Sequence, residues 1–145
     1  MTPPLRSPRE KLGGYIFLPR LIDKVRLHAQ GRLPAEYIGN LLKPGLTTDG
    51  RFLEFTGLDG EELRNAILAT DTDADVLSWV LQRARASSDT DKRQWAEKVD
   101  AYRPDSNIAQ LRKKFYPDLA KKVDVTLLSV FDLIDMDEGR IPYSG

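Results

Sequence analysis

Apolar residues recur every three or four positions along most of this chain, which is the spacing of a buried helical face. The first such face comprises Leu18, Leu21, Ile22, Val25 and Ala29. Pro19 suits the first turn of a helix, and Gly31 suits the position just after its end. The stretch therefore predicts an amphipathic helix that begins at Pro19.

Further stretches show the same spacing, and each ends near a glycine, a proline or a polar cap residue. Their predicted inward-facing residues are Tyr37, Ile38, Leu41 and Leu42; Phe52, Leu53 and Phe55; Leu63, Ile67 and Leu68; Leu77, Val80, Leu81 and Ala84; Trp95, Ala96, Val99 and Tyr102; and Ile108, Leu111 and Phe115. Alternation of apolar and polar residues never extends beyond about five positions, so no appreciable sheet is predicted. The pattern predicts an all-α fold of about seven or eight short helices.

The start of the chain differs from the rest. Residues 1–14 include several residues that disfavour regular structure, namely Pro3, Pro4, Pro8, Gly13 and Gly14. We therefore expect residues 1–14 to form an irregular N-terminal arm. A chain of 145 residues has the common length of one domain and can bury a core without disulfides or metals. Residues 1–145 are predicted to form a single compact domain.

The last predicted helix begins at Asp124 and contains the most apolar stretch of the chain, residues 125–136. Its polar residues lie three positions apart and form one narrow stripe: Thr126, Ser129, Asp132 and Asp135. A helix this apolar usually lies in the centre of a core. The alternative is that its apolar face forms a homodimer interface.

The composition narrows the possible function classes. Hydrophobic residues make up 41% and charged residues 30% of the chain, which is typical of a folded globular protein. The absence of cysteine excludes disulfides, cysteine nucleophiles and thiolate metal sites. Residues 125–136 are far shorter than the roughly 20 apolar residues that span a bilayer, and residues 1–14 lack the apolar run of a signal peptide. We expect a soluble, cytoplasmic protein that has no membrane partner.

The net charge is zero, but basic residues are concentrated at the start of the chain. Residues 1–32 carry a net charge of +5, residues 33–70 carry −3 and residues 71–145 carry −2. The basic segment either forms an anion-binding surface or pairs with the acidic remainder of the domain, and internal pairing is favoured. Because the chain lacks the basic excess of a duplex-DNA binder, no nucleic-acid partner is predicted.

Reactive side chains are densest on the first helix. Arg20, Asp23 and Lys24 share one face at positions i, i+3 and i+4, and Arg26 and His28 follow. One hypothesis is that these five residues bind an anionic ligand, with Arg20 and Lys24 reaching the same anion. The alternative is that paired Arg and Asp side chains hold the helix in place. The single histidine excludes a multi-histidine metal site, and no cofactor is predicted.

Carboxylates accumulate at the end of the last predicted helix, at Asp132, Asp135, Asp137 and Glu138. Negative charges there oppose the helix macrodipole, which favours cations at a C-terminus. Arg or Lys partners within the protein are the favoured compensation, and a bound divalent cation is the alternative. The basic runs at residues 112–114 and 121–122 could contact phosphates, although short charged runs are usually solvated.

Several segments together carry a family resemblance. They read Leu12-Gly-Gly-Tyr15, Leu18-Pro-Arg20, Ile22-Asp-Lys-Val-Arg26, Phe52-Leu-Glu-Phe-Thr-Gly57 and Asp75-Val-Leu-Ser-Trp-Val80. In this order they resemble a bacterial family designated domain of unknown function 5069. The resemblance implies a bacterial, intracellular, stand-alone domain with its signature around Arg20, Asp23, Lys24 and Arg26. It carries no activity, cofactor or catalytic residue to this chain.

Three functions are therefore compared. Because no acid, base and nucleophile form a recognisable constellation, the first interpretation is a non-enzymatic interaction or regulatory domain that acts through a helical surface. The second is a small anionic-ligand binder or enzyme that uses the basic first helix. The third is carboxylate-based cation binding near the C-terminus.

Overall fold

Over residues 5–45, 47–102 and 106–140, which the computed structural model describes, the chain folds mainly into helices. The helices are α1 (Leu18–Ala29), α2 (Ala35–Ile38), α3 (Thr48–Thr56), α4 (Gly60–Leu68), α5 (Asp73–Arg83), α6 (Asp89–Ala101), α7 (Ser106–Phe115), α8 (Pro117–Ala120) and α9 (Val130–Asp137). An antiparallel pair of two-residue strands, β1 (Lys11–Leu12) and β2 (Tyr15–Ile16), completes these elements. The predicted helical class is confirmed, with only this minimal sheet in the described ranges.

The strands β1 and β2 form a hairpin, of which β1 and the turn lie within residues 1–14, the segment predicted to be irregular. Gly13 and Gly14 connect them with φ angles of 58° and 83°, as a tight hairpin turn with positive φ at both central residues requires. A Cβ atom on Gly13 would lie only 2.5 Å from Cδ1 of Leu77. Glycine is therefore favoured at this position by the positive φ angle of the turn, and a larger residue would also require the side chain of Leu77 to move.

Phe17 joins β2 to α1 and has a φ angle of 77°, which is unusual for a bulky residue. That conformation costs about 1–2 kcal/mol. The side chain is buried and stacks on Phe131 of α9, with ring centroids 6.2 Å apart and an angle of 2° between the planes. Packing in the core offsets the backbone cost and fixes the start of α1.

The main core is built around α1. Four of its predicted inward residues are fully buried, namely Leu18, Leu21, Ile22 and Val25, whereas Ala29 is exposed. The helices packed around it contribute Phe52, Leu63, Ile67, Val76, Val80 and Phe131. Because α1 lies in the centre of the core, its charged residues lie close to buried apolar side chains.

Some leucines and isoleucines predicted to face inward are instead exposed: Ile38, Leu68, Leu81 and Leu111. On α4 and α5 the buried stripe is narrow and runs through Leu63 and Ile67 and through Val76 and Val80. A residue directly after such a stripe is rotated by about 100° around the helix. This rotation carries the side chains of Leu68 and Leu81 to the solvent side.

The last helix begins at Val130 and not at Asp124 as predicted. The hydroxyl of Ser129 caps it by accepting a hydrogen bond from the N–H group of Asp132 at 3.0 Å. Within α9, Phe131 and Leu133 are buried against the protein's own core, as expected of a central helix.

The helix α2 ends at Ile38, whereas the sequence predicted that it would continue to Leu42. Leu42 has a φ angle of 54°, and its N–H group donates a hydrogen bond to Oδ2 of Asp49 at 2.8 Å. This bond with the first turn of α3 replaces the helical hydrogen bond that a longer α2 would have made.

Candidate functional site

The charged side chains of α1 lie in two different environments, one buried and one half-buried. Arg20 and Lys24 are buried, and each contacts one carboxylate on another element. Asp23 and Arg26 lie on a half-buried side of the helix beside the N-terminal arm and α5. The five predicted ligand-binding residues are therefore divided between different surroundings.

Arg20 is only 2% exposed and pairs with Glu138, which follows α9. Its Nη1 and Nη2 atoms donate to Oε1 and Oε2 of Glu138 at 2.9 and 2.6 Å. Nη1 also donates to the carbonyl oxygen of Arg6 at 3.1 Å. The hydroxyl of Tyr37 donates to Oε2 of Glu138 at 2.9 Å, and Arg140 donates to Oε1. This charge-assisted, two-pronged pair joins α1, α2 and the end of α9.

The same contacts shift the pKa values of the groups involved. Burial alone would raise the pKa of Glu138, but hydrogen bonds and the charge of Arg20 outweigh it and lower that pKa below its ordinary value of 4.5. Burial and the nearby carboxylate of Glu138 raise the pKa of Tyr37. The carboxylate therefore stays ionised and the phenol stays protonated at neutral pH.

Lys24 forms the second buried pair. Its Nζ atom donates to Oδ1 of Asp49 at 2.7 Å, and both side chains are less than one-tenth exposed. Burial lowers the pKa of Lys24, which the opposite charge of Asp49 only partly counteracts. The second oxygen of Asp49 accepts the bond from Leu42, so this pair connects α1 to α3 and to the loop before it.

Asp23 and Arg26 belong to a more exposed group. Nε of Arg6 lies 3.0 Å from Oδ2 of Asp23, and Nη1 of Arg6 lies 2.6 Å from Oδ2 of Asp73. Nη1 of Arg26 is 3.7 Å from Oδ1 of Asp73. The hydrogen bond from Arg6 lowers the pKa of Asp73. Side chains with this exposure gain only modest energy from pairing, because solvent screens their charges.

His28 is half-buried near the end of α1, one helical turn beyond Lys24. Its Nδ1 atom and the Nη2 atom of Arg26 are buried and have no hydrogen-bond partner within the described residues. Neither of the surface hollows described below is lined by these two residues.

Among the described residues, three of the four carboxylates predicted as metal ligands pair with arginines instead. Arg9 reaches Oδ1 of Asp132 at 2.6 Å and Oδ2 of Asp135 at 3.0 Å, and Arg140 also pairs with Asp135. Glu138 is occupied by Arg20, and Asp137 is exposed. Within the described ranges, no three His, Asp or Glu side chains are arranged so that they could hold a metal ion.

Internal pairing of the basic N-terminal segment, the favoured interpretation of its charge, is confirmed for Arg6, Arg9, Arg20 and Lys24. The arginines of the arm contact acidic residues of α1, α5, α6 and α9. The arm is therefore attached to the helices by charge as well as by the buried side chain of Leu5.

Several members of this network were not identified from the sequence as site residues: Arg6, Arg9, Tyr37, Asp49 and Arg140. They lie in irregular segments and turns, in a short helix or in the first turn of a helix, where polar residues are ordinary. The one available signal was the charge imbalance, which indicates that basic residues of the arm need partners but does not identify them.

Acid should weaken the fold through this network. The pKa values of Glu138 and Asp73 are lower in the folded protein than their ordinary values of 4.5 and 3.8. The stabilisation that these two carboxylates contribute is complete at pH values above their ordinary pKa values. It is lost as the pH falls below those values, because the unfolded chain binds protons at a higher pH than the folded chain does. We expect the free energy of unfolding, measured by urea titration, to fall below a pH of about 4.5.

The variant Glu138→Gln provides the control for this acid dependence. Removing the ionisable group should give a shallower fall in unfolding free energy between about pH 4.5 and pH 3. An unchanged slope in this variant would contradict the assignment to Glu138.

Two surface hollows lie away from the network. The first has a volume of about 350 Å³ and is lined by Lys113, Lys121, Lys122, Val123, Asp124 and Val125, together with Ala120. We refer to these residues and Leu127, which follows them in the chain, as the C-terminal basic surface. The second hollow lies between α4 and α5 beside Trp79, where the guanidinium of Arg83 lies 5.7 Å from the ring centroid.

Comparison with known proteins identifies the family of this chain. None of the helices in the described part of the chain has both the length and the apolar character that crossing a membrane requires. No curated protein matches the chain. A family model described as a domain of unknown function (DUF5069) matches residues 2–140, nearly the whole chain, as the sequence resemblance implied. The chain therefore belongs to the DUF5069 family.

Proposed function

We propose that the protein is a non-enzymatic interaction domain that binds a segment of another protein through its C-terminal basic surface. The observation that carries this proposal is the exposure of Leu127, which is 70% accessible and follows three residues after Asp124, one of the residues that line the hollow. Burying an exposed leucine side chain in an interface contributes roughly 1.5–3 kcal/mol. A single exposed leucine is ordinary, so the argument depends on how this one is held.

Leu127 lies on a turn that is fastened at several points. Its N–H group donates to the carbonyl oxygen of Asp124 at 3.2 Å, and the Asp124 carboxylate accepts hydrogen bonds from the N–H and hydroxyl groups of Thr126. On either side of Leu127, the carbonyl oxygens of Val125 and Leu128 accept hydrogen bonds from Nη1 of buried Arg112, at 2.9 and 2.7 Å. The backbone around the leucine is therefore fixed before a partner arrives.

A fixed apolar side chain is suited to binding. Ordering side chains and loops on association costs free energy, and a turn that is already ordered avoids most of this cost. The turn also brings Leu127 near the hollow, because its closing hydrogen bond keeps the Cα atoms of Asp124 and Leu127 within about 7 Å. An apolar side chain from a partner could contact Leu127 and the hollow at the same time.

The alternative functions have less support. The cationic groups of Arg20 and Lys24 are occupied by Glu138 and Asp49, so an anion would have to displace a buried carboxylate to reach them. This arrangement supports a structural role for the pair. The carboxylates near the C-terminus are similarly engaged by arginines, which favours charge compensation over cation binding.

Peptide display offers a test that requires no known partner. Peptides selected from a random library on the purified protein should bind it, as measured by fluorescence anisotropy. The variant Leu127→Ser should weaken them by about tenfold or more, because the anchor is lost. The matched control is Leu81→Ser on α5, which removes a leucine that is 56% exposed.

The comparison of the two leucine variants decides the result of this test. Weakening by Leu127→Ser but not by Leu81→Ser, with circular dichroism unchanged in both, supports the proposal. Failure to enrich any peptide, or equal behaviour of the two variants, overturns it.

A further inference from the structure

We infer that the segment bound at the C-terminal basic surface is acidic and carries an apolar anchor. Its carboxylates would pair with Lys113 and Lys121, while the anchor packs against Leu127 and the hollow. This inference rests on the proposed function and specifies the chemistry of the partner.

The positive charge of this surface is the first observation that supports an acidic partner. Residues 113–127 contain four lysines and two aspartates, so this segment is positive in a chain whose net charge is zero. All four lysines, Lys113, Lys114, Lys121 and Lys122, are exposed. Three of them line one hollow, where their charges add to a common potential. Such a patch attracts and orients an acidic partner.

The acidic groups inside the patch do not cancel this potential. Asp124 also lines the hollow, and hydrogen bonds from the N–H and hydroxyl groups of Thr126 hold its carboxylate in its own turn. Its single negative charge offsets only one of the three lysines that line the hollow. Asp118 lies on α8 and is not among the residues that line the hollow. The surface available to a partner is therefore dominated by lysine.

Shape favours a protein segment over a lipid surface. The charged groups surround a hollow of about 350 Å³ whose lining also includes the half-buried residues Ala120 and Val123. This volume lies near the lower end of the range typical of ligand pockets, so a protruding side chain of a partner can enter the hollow. A flat anionic membrane would contact Leu127 and the lysine ends but would leave the hollow unfilled.

The inference can be tested with two defined probes. One is a fluorescein-labelled 12-residue peptide of alternating Glu and Leu or Phe, and the other has every Glu replaced by Gln. At about 50 mM salt the Glu probe should bind at least about tenfold more tightly than the Gln probe. The ratio should approach one at about 0.5 M salt, where the Debye length is only a few ångströms.

Charge reversal identifies the surface. The double variant Lys113→Glu, Lys121→Glu should lose at least about tenfold in affinity for the Glu probe. The matched control, Arg93→Glu with Lys98→Glu on exposed positions of α6, changes the net charge equally and should retain binding at 0.15 M salt. Equal loss in both double variants would mean that only net charge matters, and the inference would be wrong.

The remaining outcomes separate this inference from the proposed function. If both probes bind equally and still depend on Leu127, the partner is not acidic, although the interaction surface stands. If no peptide depends on Leu127, both proposals fail. Binding to vesicles of phosphatidylglycerol and phosphatidylcholine without any preference for the Glu probe would overturn the acidic-segment inference in favour of a membrane surface.

Discussion

Replacing Glu138 with alanine is expected to lower the free energy of unfolding by about 3–5 kcal/mol. The substitution leaves the guanidinium of Arg20 buried, where it still donates a hydrogen bond to the carbonyl oxygen of Arg6 but no longer faces a carboxylate of residue 138. It also removes the acceptor of the Tyr37 hydroxyl. An uncompensated buried charge accounts for most of the expected loss, which urea denaturation followed by circular dichroism would measure.

Two controls make the result specific. Glu97→Ala, on an exposed position of α6, should change the unfolding free energy by no more than about 0.5 kcal/mol. The double variant Arg20→Met, Glu138→Leu should cost less than the sum of its single variants by about 1 kcal/mol or more, because it removes both charges. Additive single effects, or a loss below about 1 kcal/mol for Glu138→Ala, would contradict a coupled buried pair.

A buried charge network of this kind raises the question of why it exists. Apolar residues of similar size often stabilise a protein as well as a buried ion pair does. The pairs of Arg20 with Glu138 and of Lys24 with Asp49 fix α1 relative to α3 and the end of α9. A wrongly registered arrangement would leave charges buried without partners, so the pairs discriminate against alternative packings.

The sequence predicts the local part of this arrangement well. The apolar spacing around Leu21 and Val25 identifies the buried face of α1, because helical periodicity is encoded within a few neighbouring residues. Family membership was likewise predictable, since its motifs are contiguous. The helix ends were less predictable, because Ser129 caps α9 and Asp49 captures the N–H group of Leu42 through contacts that periodicity does not report.

The partners of the charged residues could not be predicted from spacing. Arg20 and Glu138 are separated by 118 positions, and Arg9 and Asp132 by 123. Their contact depends on how whole helices pack, whereas a single sequence provides only their charges. The exposure of Leu127 was hidden for a related reason: its apolar neighbours predict a continuous helix, but the chain makes a hydrogen-bonded turn there.

Phe131→Ala is the second substitution with a large expected effect, a loss of about 3–5 kcal/mol in the free energy of unfolding. Phe131 is fully buried in the main core and stacks on Phe17, whose unusual backbone conformation depends on that packing. Truncation removes apolar contacts and leaves a cavity that the surrounding helices fill only in part. Urea denaturation would measure the loss, and Leu81→Ala would serve as the exposed control.

The volume of the side chain provides a second comparison. Phe131→Leu retains much of that volume and should cost clearly less than Phe131→Ala, because the residual cavity is smaller. Analytical ultracentrifugation of the same variants tests the alternative interpretation of this helix, in which its apolar face forms a homodimer interface. A loss below about 1 kcal/mol in Phe131→Ala would contradict a central core position. If that variant kept its stability but lost self-association, Phe131 would instead act at an interface between two copies of the chain.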